Sequence, residues 1–224
     1  MSYILNIETA TKNCSVALGY NDSLIDVIEY AGENYSHAEK LHIFIRDILQ
    51  RNQCQPTDLS AVAVSKGPGS YTGLRIGVSA AKGLAYALEI PLIAVSTLHS
   101  LAMSITPGEE AYIIPLIDAR RMEVYSAVYD QNHKLIRDVQ ADILDDKPFD
   151  IYLNDKKVYF AGDALTKTKQ LISHPNAVFS PVEFPSARFM HQTAYQKYLH
   201  QDFENTAYFE PYYLKDFIVT KKKR

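Results

Sequence analysis

The stretch from Leu59 to Val95 limits the fold more than any other part of the chain. Leu59-Ser60-Ala61-Val62-Ala63-Val64-Ser65 has no charged side chain, so a strand there must be covered on both faces, as in a parallel sheet flanked by helices. Lys66-Gly67-Pro68-Gly69 follows. Its glycines permit backbone angles closed to other residues, and Pro68 fixes the turn. Residues 72–88 then read as a helix whose first free amides Ser70 or Thr72 can cap. Pro91-Leu92-Ile93-Ala94-Val95 is a second buried strand. Strand, tight turn, helix and strand specify an α/β protein.

The same alternation runs through the rest of the chain. Residues 3–8 read as a buried strand, 9–13 as a polar turn and 14–20 as the returning strand of a hairpin. A third strand is expected at 24–29. Ser36 stands three residues before Glu39, the spacing of a capping box, and Leu41, Ile45, Ile48 and Leu49 follow at helical spacing. Pro107-Gly108 marks a break, which divides the chain into lobes at 1–104 and 105–224. The second lobe opens with strands at 112–118 and 123–129 flanking Arg120-Arg121. A short strand at 158–161 precedes Gly162-Asp163, and helical patterns at 166–172 and 187–199 complete the lobe.

The two halves echo one another. Ile7-Glu8 leads into a polar turn and returns through Val16-Ala17-Leu18, and Ile117-Asp118 returns through Ala127-Val128. An acidic residue at a strand end, then a turn, then a strand is the opening unit of duplicated actin-like and Hsp70-like folds. In such folds the turn amides and the acid face a nucleotide.

Charge narrows the range of partners. A formal net charge of -3 does not suit a chain that grips RNA by itself, so RNA contact is local or shared with a partner; the basic run at 221–224 reads as a solvated tail, with contact to RNA phosphates as the alternative. No stretch approaches the roughly 20 apolar residues of a membrane span. Cys14 and Cys54, with no leader-like segment ahead of them, place the chain in the cytoplasm with reduced thiols.

The helix at 72–88 is slim: Gly73, Gly77, Ala80, Ala81, Gly83, Ala85 and Ala87 leave little side-chain bulk. An interior glycine costs a helix up to about 1 kcal/mol, which a close backbone neighbour can justify. That neighbour is either the protein's own sheet or a second protein, and spacing alone does not choose. The helix start would also suit an anion, but no P-loop or dinucleotide fingerprint is present, and a plain tight turn explains the glycines equally well.

The run Lys66-Gly67-Pro68-Gly69-Ser70-Tyr71-Thr72-Gly73-Leu74-Arg75-Ile76-Gly77 resembles the signature of the TsaB (YeaZ) family. Ile7-Glu8-Thr9-Ala10-Thr11 with Cys14-Ser15-Val16-Ala17-Leu18 is similar to that family's first hairpin, and Ser36-His37-Ala38-Glu39-Lys40-Leu41 to its first helix. Asp118-Ala119-Arg120 with Glu123-Val124-Tyr125 is similar to its second-lobe hairpin, and Phe209-Glu210-Pro211-Tyr212-Tyr213-Leu214-Lys215 to its closing motif. The likeness is weakest between about 130 and 200.

The resemblance implies a duplicated actin-like (ribonuclease H-like) fold. It also implies a cytoplasmic, non-catalytic scaffold subunit of the complex that moves a threonylcarbamoyl group from threonylcarbamoyl-AMP to the tRNA adenosine beside the anticodon. TsaC-type enzymes supply that intermediate. The implied partners are the TsaD paralogue, a TsaE-like ATPase and, in isolation, a second copy of the chain; tRNA is met only through the complex. Pairing is expected through the first two helices, with His37, Lys40, Phe44, Gly73, Leu74 and Gly77 as contacts. TsaD-type proteins carry a His-x-x-x-His metal pair where this chain reads Thr97-Leu98-His99-Ser100-Leu101, with one histidine left. No metal and no catalytic residue are therefore expected, and no Gly-x-Ser-x-Gly elbow supports a hydrolase. No cofactor is required. Weak ATP or ADP binding stays open, with Glu8, Thr9, Thr11, Asp118 and Gly162 as candidate contacts. The competing readings are an autonomous ATPase or small-molecule kinase of the same fold, and a peptidase.

Overall fold

The computed structural model describes residues 2–32 and 37–214. The Ser36 cap and the basic run at 221–224 lie outside them. Strands β1 (Tyr3–Glu8), β2 (Asn13–Tyr20), β3 (Ser23–Ala31), β4 (Leu59–Ser65) and β5 (Leu92–Val95) form one sheet in the order β3-β2-β1-β4-β5. Strands β6 (Ala111–Asp118), β7 (Glu123–Asp130), β8 (Leu135–Ile143), β9 (Lys157–Ala161) and β10 (Ala177–Phe179) form a second sheet, which reads β8-β7-β6-β9-β10. In each sheet the first strand lies antiparallel to the second and parallel to the fourth. Glu8 faces Ser15 across the first hairpin and Asp118 faces Val124 across the second, so the acid ends the first strand in both units. The fold is a duplicated α/β unit.

Periodicity decides which faces are covered. Leu5, Ile7, Val62 and Val64 meet Leu41, Ile45 and Ile48 of α1 (His37–Arg51) and Val78 and Ala81 of α2 (Tyr71–Leu88). The alternate residues Ile4, Ala61, Ala63 and Ile93 turn to the other face. Both faces of β4 are therefore filled, which is why its sequence lacks alternation. Each fully buried aliphatic side chain contributes roughly 1.5–3 kcal/mol. Cys14 and Cys54 belong to the same core as free thiols.

The last helix of each unit crosses to the other unit's sheet. After β5, α3 (Thr97–Ala102) packs on β6 and β7, and after β10, α6 (His191–Leu199) packs on β5 and β1. Residues 187–199, expected to complete the second lobe, thus cover the first sheet. Ala187, Met190 and Ala194 form the reason: two alanines let the segment settle onto Ala17, Ala61 and Ala63. His191 reaches into this interface, with Nδ1 3.3 Å from Asn6 Nδ2 and Nε2 3.0 Å from the Asn21 carbonyl.

The strands β8 and β10 and the helices α3 and α4 (Asp150–Leu153) were not foreseen from the sequence. β8 carries Arg137, Asp138 and Asp142, and its polar residues are matched only in three dimensions. Arg137 pairs with Asp142 at 2.6 Å, and both meet the buried Ser126 hydroxyl. β10 is three residues long, too short to leave a period.

Candidate functional site

The candidate residues fall on the strand-end turns and on the inner and outer faces of α1 and α2. In the first turn Glu8 is wholly buried, and its Oε1 accepts the Ala10 amide at 2.6 Å. Burial pushes its carboxyl up to about 7, a rise that the Ala10 amide opposes. Thr9 Oγ1 donates to the Gly73 carbonyl at 2.8 Å, and the Thr11 carbonyl accepts from His37 Nε2 at 2.7 Å. Ser70 N donates to the Ala10 carbonyl at 2.6 Å, while the Ser70 hydroxyl accepts from Gly73 N and caps α2. The turn is tied to α1 and α2 from both sides.

These bonds hold three of the nucleotide candidates inside the fold. Glu8, Thr9 and Thr11 are each no more than 1% exposed. Four of the pairing candidates also face inward. A Cβ at Gly73 would overlap the Thr9 carbonyl and one at Gly77 the Thr9 hydroxyl, so those two glycines exist for the chain's own turn. Leu74 and His37 are buried beside them. Phe44 is half-buried against the first core, and Lys40 is half-buried with its ammonium 4.2 Å from the Tyr30 ring centre.

The second turn is built differently. Asp118 is exposed, and its Oδ1 accepts Lys167 Nζ at 2.6 Å and Arg120 N at 2.8 Å. Its own amide donates to Asp163 Oδ1 at 2.7 Å. Burial, with Asp118 and Glu183 adding like charge, raises Asp163 to about 6 against the pull of that amide. Gly162 takes φ +128°, and a Cβ there would overlap the Leu116 carbonyl, so the strand exit requires glycine. Of the five nucleotide candidates only Asp118 reaches the surface, and an ammonium from α5 (Leu165–Leu171) already occupies it. Lys167 was missed in the sequence. A lysine in an unremarkable helix gives no sign that it will bridge 49 residues.

On the outside, α1 and α2 frame a groove of about 790 Å³ whose lining includes Ala38, His42, Ile76, Ala80, Gly83 and Leu84. The closing segment folds back over α2. Lys82 Nζ donates to the Phe209 carbonyl at 2.8 Å, and Tyr212 N to the Lys66 carbonyl at 2.7 Å. Arg75 lies 4.0 Å from the Tyr71 ring centre, with Nε 3.3 Å from Tyr213 Oη. The motif at 66–77 and the described part of the second, 209–214, thus meet on one surface. His99 is a packed side chain: its Nε2 sits 3.1 Å from Thr193 Oγ1 and its ring 5.3 Å from that of Tyr129. Among the described residues no three His, Cys, Asp or Glu side chains gather as a metal site would require, and no helix is long and apolar enough to cross a membrane.

Two like sheets in tandem, each opening with an acid-tipped hairpin, define a two-lobed actin-like protein. Comparison agrees. The activator of 2-hydroxyisocaproyl-CoA dehydratase from Clostridium difficile, solved with ADPNP, shares the fold with a TM-score of 0.50 at 9% identity, over 91% of this chain and 98% of that one. A family model described as TsaD, tRNA N6-adenosine threonylcarbamoyltransferase, matches residues 33–208. The tRNA threonylcarbamoyladenosine biosynthesis protein TsaB of Bacillus subtilis is 37% identical over 175 residues, 75% of this chain and 74% of that protein. YeaZ from Pseudomonas aeruginosa superposes with a TM-score of 0.81 at 26% identity, over 96% of this chain and all of that one. The chain belongs to the TsaB (YeaZ) family.

Proposed function

We propose that this protein is a non-catalytic pairing subunit in tRNA threonylcarbamoyladenosine biosynthesis, which supports a TsaD-type transferase by docking it on the outer face of α1 and α2. The observation that carries this reading is the division among the glycines of α2. Gly73 and Gly77 are explained by the chain's own turn. Gly83 is exposed and has nothing within 4 Å of where a Cβ would stand. An exposed helical glycine costs about 1 kcal/mol, and here no internal contact accounts for it. It lies in the groove beside Ser79 and Ala80, where a second helix could approach closely.

The same face would serve a second copy of the chain in isolation, with a TsaE-like ATPase joining the assembly and tRNA bound through it. An autonomous ATPase or kinase would need strand-end oxygens that reach a nucleotide, and Glu8, Thr9 and Thr11 are buried. A peptidase finds no ligand cluster among the described residues.

The double substitution Ser79→Arg/Gly83→Arg tests the reading. Both sites are exposed and a helical arginine is more favourable than glycine, so the chain keeps its fold. Affinity for the TsaD-type partner is expected to fall at least about 100-fold, the loss of a few interface hot spots, and threonylcarbamoyladenosine in cellular tRNA to fall with it. Unchanged affinity in the doubly substituted protein would place the interface elsewhere.

A further inference from the structure

The turn between β6 and β7 is strained in a way that the pairing reading does not use. Arg120 has φ 69° and Arg121 φ 51°, the only two consecutive non-glycine residues in the left-handed region among the described residues. The other left-handed residues stand singly, and most have local explanations. Glu89 and Lys147 end helical turns, and Asn21 and His133 sit in the β2–β3 and β7–β8 hairpins. Long side chains are poor occupants of this region, where glycine and asparagine sit readily. In a hairpin turn this backbone is ordinary for glycine or asparagine, but two arginines there carry strain, which is the starting point for a hypothesis of function.

Both arginines are exposed. Among the described residues their guanidinium groups make no hydrogen bond or ion pair, while Asp118, the acid beside them, is taken up by Lys167 and the Arg120 amide. The turn thus presents two unpaired planar cations. We propose that Arg120 and Arg121 form a contact for phosphodiester oxygens of RNA, through which this chain steadies tRNA on the assembled complex. The proposal rests on the function proposed above. Three points favour RNA phosphates. The fork of a guanidinium matches two phosphate oxygens at once. With a net charge of -3 the chain as a whole does not attract RNA, so a contact would be carried by a few cations. The docking face proposed above lies on α1 and α2, in the other lobe from this turn.

The test uses the complex reconstituted from the full chain and its TsaD-type partner, with unmodified tRNA as probe. Arg120→Asn/Arg121→Gly places at the turn residues that adopt this backbone without strain, so its thermal midpoint should equal that of the natural protein or exceed it by about 2–4 °C. Its tRNA affinity should fall about 10-fold, alike for different tRNA sequences, and the log–log salt dependence should become shallower by about two. Arg120→Lys/Arg121→Lys keeps the charge and loses the fork, and should fall between the two. Equal affinity and equal salt slope for the Asn/Gly variant would overturn the proposal while leaving the pairing reading intact. A loss that follows failed assembly with the partner, seen by sedimentation without RNA, would overturn it in favour of a protein contact. A natural complex that assembles but does not bind tRNA would overturn this proposal, and one that does not assemble at all would overturn both.

Discussion

The two strand-end turns occupy equivalent places in two copies of one unit, yet one is sealed and the other open. In the first lobe α2 runs 18 residues and presents glycines to the turn, so Thr9 can reach the Gly73 carbonyl and Glu8 is closed off. In the second lobe α5 runs seven residues and meets the turn only through the long arm of Lys167. Helix length and side-chain bulk at the point of contact decide whether a strand-end acid is buried or exposed. A nucleotide pocket built on two matching acidic turns needs both open, and duplication of the backbone does not preserve that.

The most severe way to break the contrast is to fill the contact at the sealed turn. Gly73→Leu would drive a side chain into the Thr9 carbonyl, which is backbone and cannot step aside. The expected cost is about 3 kcal/mol or more, since overpacking by one or two methylenes already costs roughly 1–3. Urea unfolding of the isolated chain should show the loss without any partner present. A Gly73→Leu protein as stable as the natural one would mean that α2 is free to lift off its turn.

Much of the duplication was legible because the features that encode it are local. Ile7-Glu8 and Ile117-Asp118 sit at the same place relative to their hairpins, and the strands they end pair in matching order. The apolar run of β4 and the capping serine of α2 were readable for the same reason. What could not be read is which face of α2 its glycines serve. Gly73 and Gly77 share a face by spacing, but only the position of Thr9, 64 residues before Gly73, says that this face points inward. The crossing of α6 to the first sheet was hidden because its small residues suit any flat surface.

The two acids sharpen the comparison through their response to pH. Glu8 has its folded value raised to about 7 from an ordinary 4.5. The folded state then holds a proton that the unfolded state has released, so stability is fully present below pH 4.5 and declines as pH rises to about 7. The change has an upper scale of about 3 kcal/mol for a rise of this size. Asp163 shifts in the same direction, from 3.8 to about 6, and loses its contribution over that lower window. Glu8→Gln should flatten the stability profile between pH 4.5 and about 7, and Asp163→Asn the part between 3.8 and about 6. Identical profiles for the natural protein and the Glu8→Gln variant would mean that water reaches the Glu8 carboxyl.

The smallest expected effect is at the open turn, where one ion pair with an exposed carboxylate is removed while Asp163 still holds the Asp118 amide. Lys167→Met removes the ammonium that holds Asp118 Oδ1 and the Arg121 carbonyl, and keeps the length and the apolar stem. Breaking a charge-assisted bond with one exposed partner is expected to cost about 1 kcal/mol, less than losing a buried pair. The consequence is local. Amides at 118–123 should exchange with solvent faster, while those at 8–11, bonded to α2 through backbone and buried hydroxyl, keep their rate. If both sets accelerate together, the turns are coupled through α3 and α6, and the lobes behave as one unit in spite of their different seals. If neither does, the left-handed pair at Arg120 and Arg121 is held by its own hairpin bonds, and the strain there is independent of the lysine that lies beneath it.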